Sequence, residues 1–201
     1  MFVWMLFGCF SEEEVKTSFP SILEPLEDIR VGLPEGTDYP DDVVILSEDT
    51  EEYAWVHARG YLHLSLEEAW RALRDDSVYV NHRTVDSYTV TEVDSDEYDY
   101  IFLVDNQVND LVPVQFINEW RHVGNLNDKL ELSDVVVRWQ KIEGTDFIQL
   151  MEGSVELLPV EGEEQVVEFR IIEHLKATLD QEQNALDYVT DFADRLQGWS
   201  Q

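Results

Sequence analysis

The sequence predicts an α+β domain: a curved sheet of seven antiparallel strands packed on one long C-terminal helix. Three observations predict it. After residue 52, seven segments alternate apolar and polar residues and are separated by turn residues, the pattern of a meander. Residues 180–199 then place Ala185, Leu186, Val189, Phe192, Ala193, Leu196 and Trp199 three and four positions apart, one apolar stripe along a helix. Finally, 44% of the 201 residues are hydrophobic and 11% aromatic, too much apolar material for a disordered acidic chain despite a net charge of −31. A chain of this length fits one domain with an extension, and such a domain can bury a core or enclose a cavity.

The elements follow in order. Residues 53–64 carry Tyr53, Trp55, His57 and Arg59 on one parity and Ala54, Val56 and Ala58 on the other, a half-buried strand. Ser65 with Glu68 three residues on forms a capping box that opens a helix over 66–73, whose Leu66, Ala69, Trp70 and Leu73 share a face. Asp75-Asp76-Ser77 ends it, and a second helical turn is expected over 79–82. Six strands follow over 84–93, 98–104, 114–123, 135–142, 147–158 and 165–175, with Asp94–Glu97, Gly124-Asn125, Gly144-Thr145 and Gly162 marking turns. Parity nominates inward sets: Phe116 with Trp120; Val135, Val137 and Trp139; Phe147, Met151 and Val155; Val167, Phe169 and Ile171. The helix opposes them with Leu186, Val189, Phe192 and Leu196, and Tyr188 lies at the edge of its stripe.

Residues 10–52 read differently. They hold 14 acidic residues against Lys16 and Arg30, and four of the six prolines, so they are expected to form a linker or loosely packed arm. Val43-Val44-Ile45-Leu46 is the one piece suited to adding a strand. Residues 1–9 are an apolar run ending in Cys9, the chain's single cysteine. The order Leu6-Phe7-Gly8-Cys9 resembles a bacterial lipobox, which implies lipidation of Cys9 and a place in the bacterial cell envelope, in the periplasm or at the outer membrane. No Lys or Arg precedes the run, it is short for a secretory signal, and Phe7 is bulky for its place. An ordinary signal fragment and a plain apolar terminus, with a cytoplasmic protein, are the alternatives. No other apolar run reaches the 18 or so residues of a spanning helix, so membrane contact is expected through the anchor only.

Composition also excludes chemistries. With 13 Lys and Arg against 44 Asp and Glu, general nucleic-acid binding is excluded and the charge argues against docking on anionic lipid through a basic patch, because both need clustered cations. Neither a disulfide nor a multi-cysteine metal site fits one cysteine. His57, His63, His82, His122 and His174 show no metal-ligand spacing, and neither a phosphate loop nor a nucleophile elbow is present, so no cofactor, metal or catalytic set is expected. The acidic turn at Asp94–Asp99 lacks the glycine and distal Glu of an EF-hand and reads as solvated. Arg121 and Arg138 lie opposite Trp120 and Trp139 in parity and are expected to face solvent among acids.

The run Gly60-Tyr61-Leu62-His63-Leu64-Ser65-Leu66-Glu67-Glu68-Ala69-Trp70-Arg71-Ala72-Leu73 resembles the opening of the START-like superfamily, the polyketide cyclase/dehydrase and lipid-transport (SRPBCC) group. Trp139 to Gly153, containing Ile142-Glu143-Gly144-Thr145 and Met151-Glu152-Gly153, and then Val155-Glu156-Leu157-Leu158-Pro159 are further matches. The resemblance covers residues 53–199 and implies a helix-grip fold with a cavity between sheet and helix. It implies binding or transport of a hydrophobic, lipid-like ligand without catalysis, and the expected lining is Phe116, Trp120, Val137, Trp139, Phe147, Met151, Phe169, Tyr188, Val189 and Phe192. A cyclase- or dehydrase-type enzyme drawing on Asn118, His122 or Tyr188 is one alternative reading; a ligand-free acidic module that recruits a basic partner is another.

Overall fold

The computed structural model describes residues 16–36, 38–109 and 113–199. The apolar run that ends at Cys9 lies outside the described residues. Eight strands, β1 (Val44–Asp49), β2 (Ala54–Leu62), β3 (Ser87–Val93), β4 (Tyr100–Asn109), β5 (Pro113–Leu126), β6 (Leu132–Gly144), β7 (Ile148–Pro159) and β8 (Val167–Ala177), form one antiparallel sheet. Their order is β1-β2-β8-β7-β6-β5-β4-β3, so β3 to β8 form a meander and β2 closes it on β8. The eighth strand is the 43–46 run, extended to Asp49: Val44 pairs with Arg59 and Asp49 with Ala54.

Three helices complete the fold: α1 (Leu66–Ala72), α2 (Asp76–Tyr79) and α3 (Gln181–Gln197). The capping box of α1 is present, with Ser65 Oγ accepting from the Glu68 amide at 3.3 Å and Glu68 Oε2 accepting from the Ser65 amide at 2.9 Å. Such a cap stabilises a helix start by about 1 kcal/mol. The second helix lies three residues earlier than expected because Asp75 is itself an N-cap, its carboxylate accepting from the Ser77 amide at 3.0 Å. The chain then turns through Asn81, whose carbonyl accepts from the amides of Thr84 and Val85, and this delays β3 to Ser87.

The inner face of the sheet curls around α3. Ala185, Val189, Phe192, Ala193 and Leu196 are buried against Val56 and Ala58 of β2 and Phe169 and Ile171 of β8. From the other side Trp120 of β5 and Trp139 of β6 meet Phe192 edge-on, at centroid separations of 6.2 and 5.8 Å. Burying side chains of this size stabilises by about 1.5–3 kcal/mol each. Among the described residues no helix is long and apolar enough to cross a membrane.

The outer face is not left to solvent, and for residues 17–31 the expectation of a linker or loosely packed arm is corrected. Residues 17–31 run across the outward side chains of the sheet. The Thr17 amide donates to Ile142 O at 2.8 Å, the Leu26 amide to Ser154 Oγ at 3.0 Å and the Arg30 amide to His57 Nδ1 at 3.0 Å. Proline and irregular geometry leave such a segment with free backbone donors and acceptors, and polar outward side chains satisfy them. Arg138 is therefore buried rather than solvated, donating to Glu24 O at 3.3 Å. Arg121 bonds Glu119 at 2.6 Å and lies over the Phe19 ring at 4.2 Å. Because His57 Nδ1 accepts from Arg30, the neutral ring donates through Nε2 to Glu27 Oε1 at 2.8 Å; His174 Nε2 reaches the same oxygen at 3.2 Å.

Candidate ligand cleft

The space between sheet and α3 is filled at one end and open at the other. Toward the C-terminal half of α3, Trp120 and Trp139 stack at 4.7 Å and close the interior with Phe192. Toward the N-terminal half the helix and sheet diverge around a cleft of about 520 Å³. Ala185 and Tyr188 of α3, Met151 of β7, Leu175 of β8 and Phe116 of β5 are among its walls, and Leu179 and Asp187 stand exposed at its mouth. A small annex of about 50 Å³ continues past Phe116, Met151 and Tyr188 to Asn118 and Trp120. The volume and mostly apolar lining are those of small-molecule sites, for which about 300–1,000 Å³ is typical. A groove of about 680 Å³ between the β3–β4 hairpin and α1–α2 has Arg71, Arg74, Asp75, Asp94 and Asp99 in its walls, the chemistry of a solvated surface.

One carboxyl interrupts the apolar lining. Glu173 of β8 is fully buried, its Oε2 accepting from Trp139 Nε1 at 2.8 Å while Oε1 has no partner. The sheet makes room for this pair through a glycine. Gly153 of β7 sits directly between Trp139 and Glu173 in register, and a Cβ there would lie 2.1 Å from the Trp139 ring and 2.6 Å from Glu173 Oε2. Burial pushes the Glu173 carboxyl well above the usual carboxylate range; the Trp139 donor opposes this, and the charge of Glu152 adds to it. Burial, and then the neighbouring Glu173, also push the Tyr188 hydroxyl up. Both shifts favour the uncharged forms, a carboxylic acid and a phenol, on the cleft floor.

The residues expected to line a ligand site divide between the two ends. Phe116, Phe147, Met151 and Tyr188 line the cleft, and Phe116, Trp120, Met151 and Tyr188 line the annex. Val137, Trp139, Phe169, Val189 and Phe192 are in the packed core and line neither space. Phe147 arrives by a route other than strand parity: it belongs to the turn before β7. A register shift between Ile148 and Leu150 brings Ile148, not an odd-numbered neighbour of Met151, onto the inner face.

Glu173 is not among the residues expected from the sequence, although the sequence carries a signal for it. It follows Val167, Phe169 and Ile171 and precedes Leu175 on one parity, so a carboxylate stands in an otherwise apolar inward row.

Of the polar groups an enzyme would draw on, Asn118 and Tyr188 border the annex, and Asn118 Nδ2 bonds Met151 Sδ at 3.3 Å. His122 does not join them. It is fully buried beside Tyr100 and Phe102, accepts from Trp70 Nε1 at 3.3 Å, and is held down to about 3 by burial and then by the charge of Arg74. A base that stays neutral yet touches no cavity has no substrate proton to take. Among the described residues no group of three or more His, Cys, Asp or Glu is arranged to hold a metal ion.

No protein-family model and no curated protein sequence matches the chain. Its fold is similar to that of the human StarD13 (DLC2) lipid transfer and protein localization domain, at 11% identity and a TM-score of 0.54 over 82% of this chain and 86% of that one. Human StAR-related lipid transfer protein 5 is similar at 13% identity and a TM-score of 0.51, over 80% of this chain and 83% of that one. A START superfamily protein from Mycobacterium smegmatis is similar at 10% identity and a TM-score of 0.50, over 72% of this chain and 94% of that one. The chain thus has the START-like helix-grip fold, here with eight strands.

Proposed function

We propose that this protein binds and carries a hydrophobic small molecule in the cleft between the sheet and the N-terminal half of α3, without transforming it. The observation that carries the reading is the apolar cleft of about 520 Å³, opened by the divergence of helix and sheet while the other end of the same interior is packed. Two of the structural neighbours are described as lipid transfer proteins, which agrees with that use of the fold. Carriage without catalysis is favoured because His122 is walled off from the cleft. The test is to purify the full chain under non-denaturing conditions, extract it with organic solvent and identify bound molecules by mass spectrometry. A stoichiometric hydrophobic compound supports the reading. Protein that is empty as purified and takes up no alkane, alcohol or ketone afterwards refutes it.

We further propose that the protein works at the bacterial cell envelope, held there by a lipid on Cys9. The support is the order Leu6-Phe7-Gly8-Cys9 followed by polar, acidic sequence. Cys9→Ser, expressed in the native host, is expected to move the protein from the membrane to the soluble fraction; unchanged fractionation would refute the tether.

A further inference from the structure

We infer that Glu173 is the polar recognition point of the cleft, its Oε1 hydrogen-bonding a hydroxyl or carbonyl group on an otherwise apolar, uncharged ligand. The inference rests on the binding reading above and specifies the class of molecule. Three observations carry it. Glu173 is fully buried among the lining residues, yet only Oε2 is engaged, by the Trp139 indole. A buried polar atom left unpartnered costs about 1–3 kcal/mol, and holding the Trp139 N–H needs only one of the two oxygens. The arrangement is also specifically accommodated, because Gly153 leaves the indole and the carboxyl the space any side chain would fill.

The second argument is charge. Among the described residues no Lys, Arg or His lines the cleft, and the ionisable ones that do are Glu173 on the floor, Tyr188 facing it from α3 and Asp187 at the mouth. A fatty-acid carboxylate or a phosphate headgroup would bring a negative charge to a site without a cation, on a chain of net charge −31. A neutral carboxyl, by contrast, donates to a carbonyl oxygen and both donates to and accepts from a hydroxyl. Buried polar groups of this kind set specificity, because a ligand without the matching group leaves them unpaired.

The test uses the purified full chain and four probes of one chain length: dodecan-1-ol, dodecan-2-one, dodecanoate and dodecane. Binding is followed by calorimetry and by the tryptophan emission to which Trp139 contributes. Glu173→Leu is expected to weaken the alcohol and the ketone about three- to tenfold while leaving dodecane unchanged or tighter, the worth of one hydrogen bond. Glu173→Gln, which keeps an acceptor for Trp139 and a donor for the ligand, should preserve the preference; a merely structural role would not separate the alcohol from the alkane. If all four probes bind and neither variant changes their ratios, or if dodecanoate binds best, this inference falls and the hydrophobic cleft stands. If none binds, both fall. Should Glu173→Leu not fold, the infrared carbonyl band of bound dodecan-2-one in the unaltered protein decides. A band shifted down from its position in alkane supports the hydrogen bond, and an unshifted band overturns it.

Discussion

Glu173 and His174 are consecutive in β8 and face opposite sides of the sheet, and the two sites they belong to treat a carboxyl in opposite ways. On the outer face, burial would push Glu27 up, but bonds from Arg30, His174 and His57 outweigh it and hold the carboxyl below its ordinary value. On the inner face Glu173 is fully buried, where Glu27 keeps part of its side chain in solvent, and it has one neutral donor, so burial wins and the group is pushed up. Depth and partner count together set the two directions. The charged one fastens the arm to the sheet, and the neutral one is left with an oxygen free for something else.

Crowding the inner site should have the largest effect. Gly153→Ala places a methyl inside the Trp139 ring and against Glu173, in a sheet whose strands cannot part, and is expected to destabilise at or above the upper end of the usual overpacking range of about 1–3 kcal/mol, read as a lower denaturant midpoint. Removing the donor is expected to come next. Trp139→Phe leaves Glu173 with no partner and should cost about 2 kcal/mol, whereas adding Glu173→Leu to it should recover part of the loss, because removing both members of a buried pair spares the orphan; a double-mutant cycle measures this.

The pH dependence separates the faces by sign. Glu173 has a raised folded pKa, so its contribution is full below the ordinary value near 4.5 and is lost as pH climbs from there toward the folded value. Glu173→Gln, which has no proton to lose, should therefore gain in stability on the unaltered protein as pH rises from 4 to 7. Glu27 has a lowered folded pKa, so its contribution is present above about 4.5 and is lost as pH falls through the folded value. Burial likewise holds His57 below its ordinary 6.5, and acidification from that value downward works against the clasp in the same direction. The smallest expected effect is accordingly Glu27→Gln, about 0.5–1.5 kcal/mol at pH 7 and shrinking as pH falls below about 4.5. It is best read as faster tryptic cleavage after Lys16 and Arg30, the bonds an arm lifted from the sheet would expose.

Much of this fold was legible, for identifiable reasons. Alternation located β2 and β3 to β8, Ser65 with Glu68 located α1, and the stripe from Ala185 to Leu196 located α3. Period-two parity also sorted Ala54, Val56 and Ala58 to the helix side correctly. It did not reveal the second cover. Trp55, His57 and Arg138 have outward parity and are buried all the same, because an arm without periodicity crosses them, and a segment that binds through backbone donors leaves no pattern of side chains to read. The cleft was half legible. Parity says that Met151 and Val137 both face inward, but whether the helix is near enough to fill the space beyond each depends on its tilt, which no local pattern encodes.

Met151 offers the most direct measurement of that difference between the open and filled ends. The three methionines of the chain are Met1, Met5 and Met151, so methyl-labelled methionine places a single reporter in the cleft, assigned by its loss in Met151→Leu. On titration of the full chain with dodecan-1-ol, the Met151 methyl resonance is expected to shift saturably. A Met151 resonance that does not move at saturating alcohol would contradict a ligand cleft between the sheet and α3.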